Sequence, residues 1–122
     1  MFPTETQIIA AAIETMTAVA AGQGFEPDGC CCAHFAPSAP GIVPPRHIGK
    51  VWAIMLFRGG NDKYANVIAW GKVQGPLRAR VLEPGDCDPV VAEGKRLSAA
   101  KQARGYRAGY VEMLAECGRP QA

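Results

Sequence analysis

Three groups of residues in this chain have types and spacings that could do chemistry. The first is Trp70-Gly71-Lys72, in which a flat apolar ring, a residue without a Cβ and a cation follow one another. An indole offers its face to a base or sugar, and such stacking is worth about 1–3 kcal/mol per base. A glycine lets backbone approach a phosphate closely, and an ammonium beside it supplies the opposing charge. The second group is cationic: Arg78 and Arg80, two residues apart, and then Lys101, Arg104 and Arg107. If these residues converge, about four or five phosphates are within their capacity. The third is Cys30-Cys31-Cys32-Ala33-His34, whose thiols and imidazole are the ligand types zinc prefers. Its spacing argues against a metal. Structural zinc sites use pairs of ligands about two to four residues apart and a second such pair further on. Here the available completions, His47, Cys87 and Cys117, are all single. The expectation is therefore no metal, with Cys30, Cys32 and His34 the candidates if one is bound. The thiols read instead as small buried hydrophobes or as oxidation-sensitive loop cysteines.

Each group also has a purely architectural reading. Strand tryptophans mostly pack, which would make Trp70 a core residue and Gly71 a bend. Arg78 and Arg80 equally suit an exposed edge whose charges discourage strand pairing. Signs of catalysis are sparse. There is no phosphate-cradling glycine loop, since Gly59-Gly60 fits a hairpin turn. Acids are too few around every candidate for a metal-dependent nuclease, and no nucleophile signature surrounds the cysteines. The expectation is a chain that is not an enzyme and uses no cofactor.

The charge distribution favours the cationic reading. Net charge is only +2, but residues 1–45 hold four acids and no Lys or Arg, whereas residues 46–110 hold twelve basic residues against five acids. Positive charge is thus concentrated where a phosphate-binding surface would need it. At 122 residues, 48% hydrophobic and 20% charged, the chain is globular in composition and long enough for one modest core. No apolar run approaches bilayer length, and the apolar N-terminal segment has no basic residue before Arg46 to mark it as a signal peptide. A cytoplasmic protein with reduced thiols and no membrane partner is expected.

The elements that must position these residues follow from period and punctuation. Thr4-x-x-Gln7 is a capping-box pattern ahead of an apolar stripe, Ile9, Ile13, Met16 and Ala20, with Ala12 and Val19 alongside, and predicts a helix over residues 5–21. Five prolines between Phe25 and Arg46 predict a long loop. Residues 1–48 would then form an arm ahead of an α+β domain spanning 49–122, the whole being one globular unit. Val51–Phe57 is an unbroken run of strand formers, as in a strand covered on both faces. Gly59-Gly60-Asn61-Asp62 is its turn, and Tyr64–Trp70 returns with Tyr64, Asn66, Ile68 and Trp70 on one face. Leu77–Glu83 alternates, which puts Arg78 and Arg80 together on one sheet face. Asp88 as N-cap and Pro89 as first helical residue open a second helix that ends near Arg104, with Gly105 in the left-handed capping conformation. Gly94 within it marks a close helix-on-sheet contact. Tyr110–Leu114 fits a short strand or a helical turn equally well. The fold class is α+β: a small antiparallel sheet of three to four strands packed against a helix, with an extra N-terminal helix.

Between Gly49 and Arg107 this pattern resembles a WGR domain, through Trp70-Gly71-Lys72 at a strand end and Lys101, Arg104 and Gly105-Tyr106 at a helix end. In that family the tryptophan and its neighbours meet nucleic acid, and the module often accompanies a catalytic domain. The resemblance implies non-enzymatic binding of DNA, including ends or breaks, by Trp70, Gly71, Lys72, Arg78, Arg80, Lys101, Arg104 and Arg107. Lys72 departs from the signature arginine: it keeps the charge but lacks the rigid fork that grips a phosphate in bidentate fashion. The alternative is a protein-protein interaction module, an inhibitor or adaptor of the kind mobile genetic elements carry.

Overall fold

The computed structural model describes residues 4–36, 49–73 and 75–108. Its first element is the helix that the capping box specifies, α1 (Glu5–Ala21). Gln7 donates its backbone N–H to Thr4 Oγ1 (3.1 Å), and Thr4 returns the bond to Gln7 Oε1 (2.8 Å). Two of the helix's orphan donors are thereby satisfied. Ile8, Ile9, Ala12, Met16 and Ala20 are buried along one side of the helix.

Beyond α1 come the strands β1 (Glu26–Phe35), β2 (Lys50–Arg58), β3 (Tyr64–Lys72) and β4 (Arg78–Val81), then the helix α2 (Cys87–Ala103) and a two-residue strand, β5 (Arg107–Ala108). All strand pairs are antiparallel, in the order β4-β3-β2-β1-β5. The fold is α+β, as expected. Strand β1 corrects the expectation of a loop over residues 25–46, because it occupies the first part of that segment. Proline is tolerated there for a physical reason. Pro27 lies at the start of β1, before a register shift at Cys31, and β5 pairs with His34 and Phe35, so among the described residues the edge beside Pro27 has no ladder that needs its missing N–H. The rest of the expected loop, residues 37–46, and the Tyr110–Leu114 segment lie outside the described residues.

Alternation along the strands divides the sheet into two faces. Cys31, Ala33, Phe35, Val51, Ala53, Met55, Phe57, Val67 and Ala69 point to the face that α1 covers and form the main core with its buried side. The opposite face carries Trp52, Ile54, Asn66, Ile68 and Trp70, and α2 packs over part of it. That contact is specific. Asn66 donates from Nδ2 to the Val90 carbonyl (2.8 Å), and a Cβ on Gly94 would sit 2.9 Å from Asn66 Oδ1. Only glycine allows helix and sheet this close, so Gly94 has the role expected of it.

The start of α2 differs by two residues from the expectation of Asp88 as N-cap. Asp86 holds the N-cap position without a side-chain capping bond, because its carboxylate is 3.1 Å from Lys63 Nζ. Asp88 and Pro89 fall inside the first turn, where backbone N–H groups have no intrahelical partner and proline costs nothing. The end of α2 is as expected. Gly105 is left-handed at φ 91°, its N–H reaches the Gln102 carbonyl (2.9 Å), and the Tyr106 N–H reaches that of Lys101 (3.1 Å). This pair of bonds is a Schellman motif. It folds Tyr106 back against the last turn of α2.

Candidate nucleic-acid interface

Register makes the α2-facing side of the sheet chemically distinctive. His34, Trp52, Trp70 and Arg78 stand in one cross-strand row from β1 to β4, and Cys32, Ile54, Ile68 and Arg80 stand in the next. Lys50 and Lys72 pair at the end of the β2-β3 hairpin, beyond the first row. Over these rows hangs the end of α2. Lys101 Nζ lies 5.3 Å from the Trp52 ring centroid and 5.0 Å from that of Tyr106, so the Schellman turn clamps a cation between two aromatic faces. Helix α2 leaves a groove of about 410 Å³ toward β4, lined by Lys50, Trp52, Ile68, Trp70, Lys72, Arg80, Lys101 and Tyr106.

The electrostatics of this groove are unbalanced. Four described cations elsewhere have partners: Arg58 pairs with Asp62 (2.7 Å), Lys63 with Asp86 (3.1 Å), Arg96 with Glu93 (2.6 Å) and Arg107 with Glu5. Among the described residues, Lys50, Lys72, Arg78, Arg80, Lys101 and Arg104 form no salt bridge, and neither does Lys95 on α2, which does not line this groove. Burial, and then the neighbouring charge of Arg104, lower the Lys101 pKa from its ordinary value. An anion entering the groove relieves that repulsion.

The residues proposed from sequence thus separate. Trp70, Lys72, Arg80 and Lys101 meet at the groove, Arg78 stands beside Trp70 in register, and Arg104 is exposed next to Lys101. Two others have different work. Gly71 lines the groove but faces the α1 side: at φ 154°, a Cβ there would lie 3.1 Å from the Pro76 carbonyl oxygen and 3.1 Å from the Leu77 side chain. Its lack of a side chain serves the turn into β4. Arg107 turns away, its guanidinium 5.3 Å from the Phe35 ring and bonded to Glu5 at the start of α1. That pair ties β5 to the opposite face.

Sequence reasoning missed Trp52, Lys50 and His34 as neighbours of the site. A signal existed. Mirroring the β2-β3 hairpin about Asn61 puts Trp52 opposite Trp70 and Lys50 opposite Lys72. The acidic N-terminal helix, in turn, lies on the far face of the sheet and does not cover these cations.

His34 is 2% exposed, 5.7 Å from the Trp52 ring, and neither ring nitrogen has a hydrogen-bond partner among the described residues. Burial first and Lys101 second hold its pKa below the ordinary 6.5. The folded ring therefore resists a proton that the unfolded chain accepts, so stability falls as pH drops from about 6.5 toward the folded pKa. A melting series from pH 7 to about pH 5 is expected to show this decline in the wild type and a shallower one in His34→Leu. At pH 7 that variant should be as stable as wild type or more so, since it removes two buried polar atoms that have no partner among the described residues. An unchanged slope in His34→Leu would assign the effect to other groups.

Cys30 and Cys32 line a second groove, of about 380 Å³, between α2 and β1. Among the described residues, no three His, Cys, Asp or Glu side chains gather in a way that could hold a metal ion. No described helix is long and apolar enough to cross a membrane. Comparison with protein-family models, with curated proteins and with solved structures finds no match to this chain.

Proposed function

We propose that this face binds nucleic acid, DNA in the first instance, without catalysing a reaction, as a WGR-like module. The observation that carries the proposal is the gathering of six cations without salt-bridge partners among the described residues around partly exposed aromatic surface, while four of the five other described cations are paired. Aromatic floor and cationic rim are the two components of a surface that holds bases and phosphates together. Trp70 is the stacking residue. Lys72, Arg78, Arg80 and Lys101 neutralise the backbone, and Lys50 and Arg104 add charge at the ends.

Anisotropy titrations with nicked, blunt and single-stranded DNA test this. Trp70→Ala removes one stacked ring and should weaken binding by roughly 5- to 150-fold, the equivalent of about 1–3 kcal/mol. With about four or five phosphates engaged on a single strand, raising salt from about 50 to about 200 mM should weaken wild-type binding by roughly 50- to 130-fold. Absence of salt-sensitive binding at the lower concentration would remove the proposal and point to a protein partner.

A further inference from the structure

We infer that the nucleic acid this groove takes is a single strand with unstacked bases rather than the body of a duplex. This rests on the nucleic-acid reading and narrows it. Three features support the inference.

The first is shape. A folded element reads duplex DNA by entering a groove of the double helix, which requires a protruding helix or β-ribbon. Here the aromatic and cationic groups line a concavity instead. Its floor is the sheet at Ile68 and Trp70, and one wall is the end of α2 with Lys101 and Tyr106. A helix packed on a sheet stands about 10 Å proud of it, so a rigid duplex laid across this wall is held off the floor. A single strand bends in.

The second feature is the chemistry of stacking. In a duplex both faces of an internal base are already covered by its neighbours, and only edges are offered to a protein. Trp70 and Tyr106 present ring surface in the groove, which gains contact area only from a base that has left the stack. The groove's volume, about 410 Å³, belongs to the range of small-ligand clefts and suits one or two nucleotide units.

The third is spacing. Arg78 and Arg80 project from the same face of β4, two residues apart, which separates them by about 6.7 Å along the strand. That is close to the step between successive phosphates of an extended single strand. Trp70 stands opposite Arg78, and Ile68 opposite Arg80. A backbone running along β4 would therefore place its bases inward, over β3.

The test is a competition among three DNA probes on the full chain: a short oligothymidylate, a blunt duplex closed by hairpins at both ends, and the same duplex with one single-stranded overhang. The oligothymidylate and the overhang probe are expected to bind at least about tenfold more tightly than the closed duplex, the worth of roughly one stacked base. Binding should also quench tryptophan emission, with most of the quenching lost in Trp70→Phe, which keeps a ring in the sheet but removes that emitter. Closed duplex binding as tightly as the single strand overturns this inference and leaves the nucleic-acid reading in place. Saturable binding to none of the three overturns both.

Discussion

Reversing two charges, in Arg78→Glu/Arg80→Glu, should reduce nucleic-acid affinity by at least about 100-fold at low salt and leave the fold intact. Both side chains are exposed and form no salt bridge with a described residue, so their loss removes no native ion pair. Exposed substitutions of this kind change stability by about 0.5 kcal/mol or less. Each charged hydrogen bond to a phosphate is worth about 1.5–3 kcal/mol, and two are lost. Repulsion by the new carboxylates adds to that. The logarithmic dependence of affinity on salt should also become shallower by about 1.4, because two phosphates are no longer neutralised on a single strand. Arg107→Glu is the comparison: a single reversal at a cation that bonds to Glu5 beyond the other face. It is expected to cost some stability and little affinity. If the double reversal binds like wild type, the cations of β4 do not face the ligand; if Arg107→Glu is equally damaging, the effect is bulk charge rather than a site.

Legibility in the sequence followed the range of the signal. Features set by residues within a few positions of each other were readable. Thr4-x-x-Gln7 specified the start of α1, the alternation of Tyr64–Trp70 specified which side chains share a face, and Gly105 specified the helix end. Each rests on a local hydrogen-bond pattern or on strand periodicity. Strand β1 was not readable, because proline content is a local argument against a strand, whereas tolerance of Pro27 depends on which edge of the sheet it occupies. The same limit applies to the site. Arg78 and Arg80 shared a face in the sequence, and Arg107 shared their charge. What separates them is the turn after α2, which sends Tyr106 to one face and Arg107 toward the other. Gly71 was singled out for the close approach of a phosphate, but the groups that a side chain there would meet are the protein's own Pro76 carbonyl and Leu77.

Shortening the buried side of α1 is the second change with a large expected effect, because it tests whether the acidic N-terminal helix belongs to the structural unit that presents the groove. Ile9 and Met16 are both fully buried, and they join the same cluster as Phe35, Phe57 and Val67 from the central strands. Truncating either to alanine leaves a cavity against a sheet whose strands are pinned by their ladders, so neighbours relax little. Each substitution should cost about 2–5 kcal/mol. Set against a whole-domain stability of about 5–15 kcal/mol, Ile9→Ala/Met16→Ala should melt far below wild type or fail to fold. Because β1, β2 and β3 share this core, the loss should be felt on the opposite face as well. Denaturant unfolding monitored by tryptophan emission, which reports Trp52 and Trp70 across the sheet from α1, should move to lower denaturant together with unfolding monitored by helical circular dichroism. Coincident curves mean that α1 and the groove unfold as one unit. Should the double variant lose helix signal while the tryptophan transition stays where it is in wild type, α1 is a removable cover and the groove is held by the remaining elements alone.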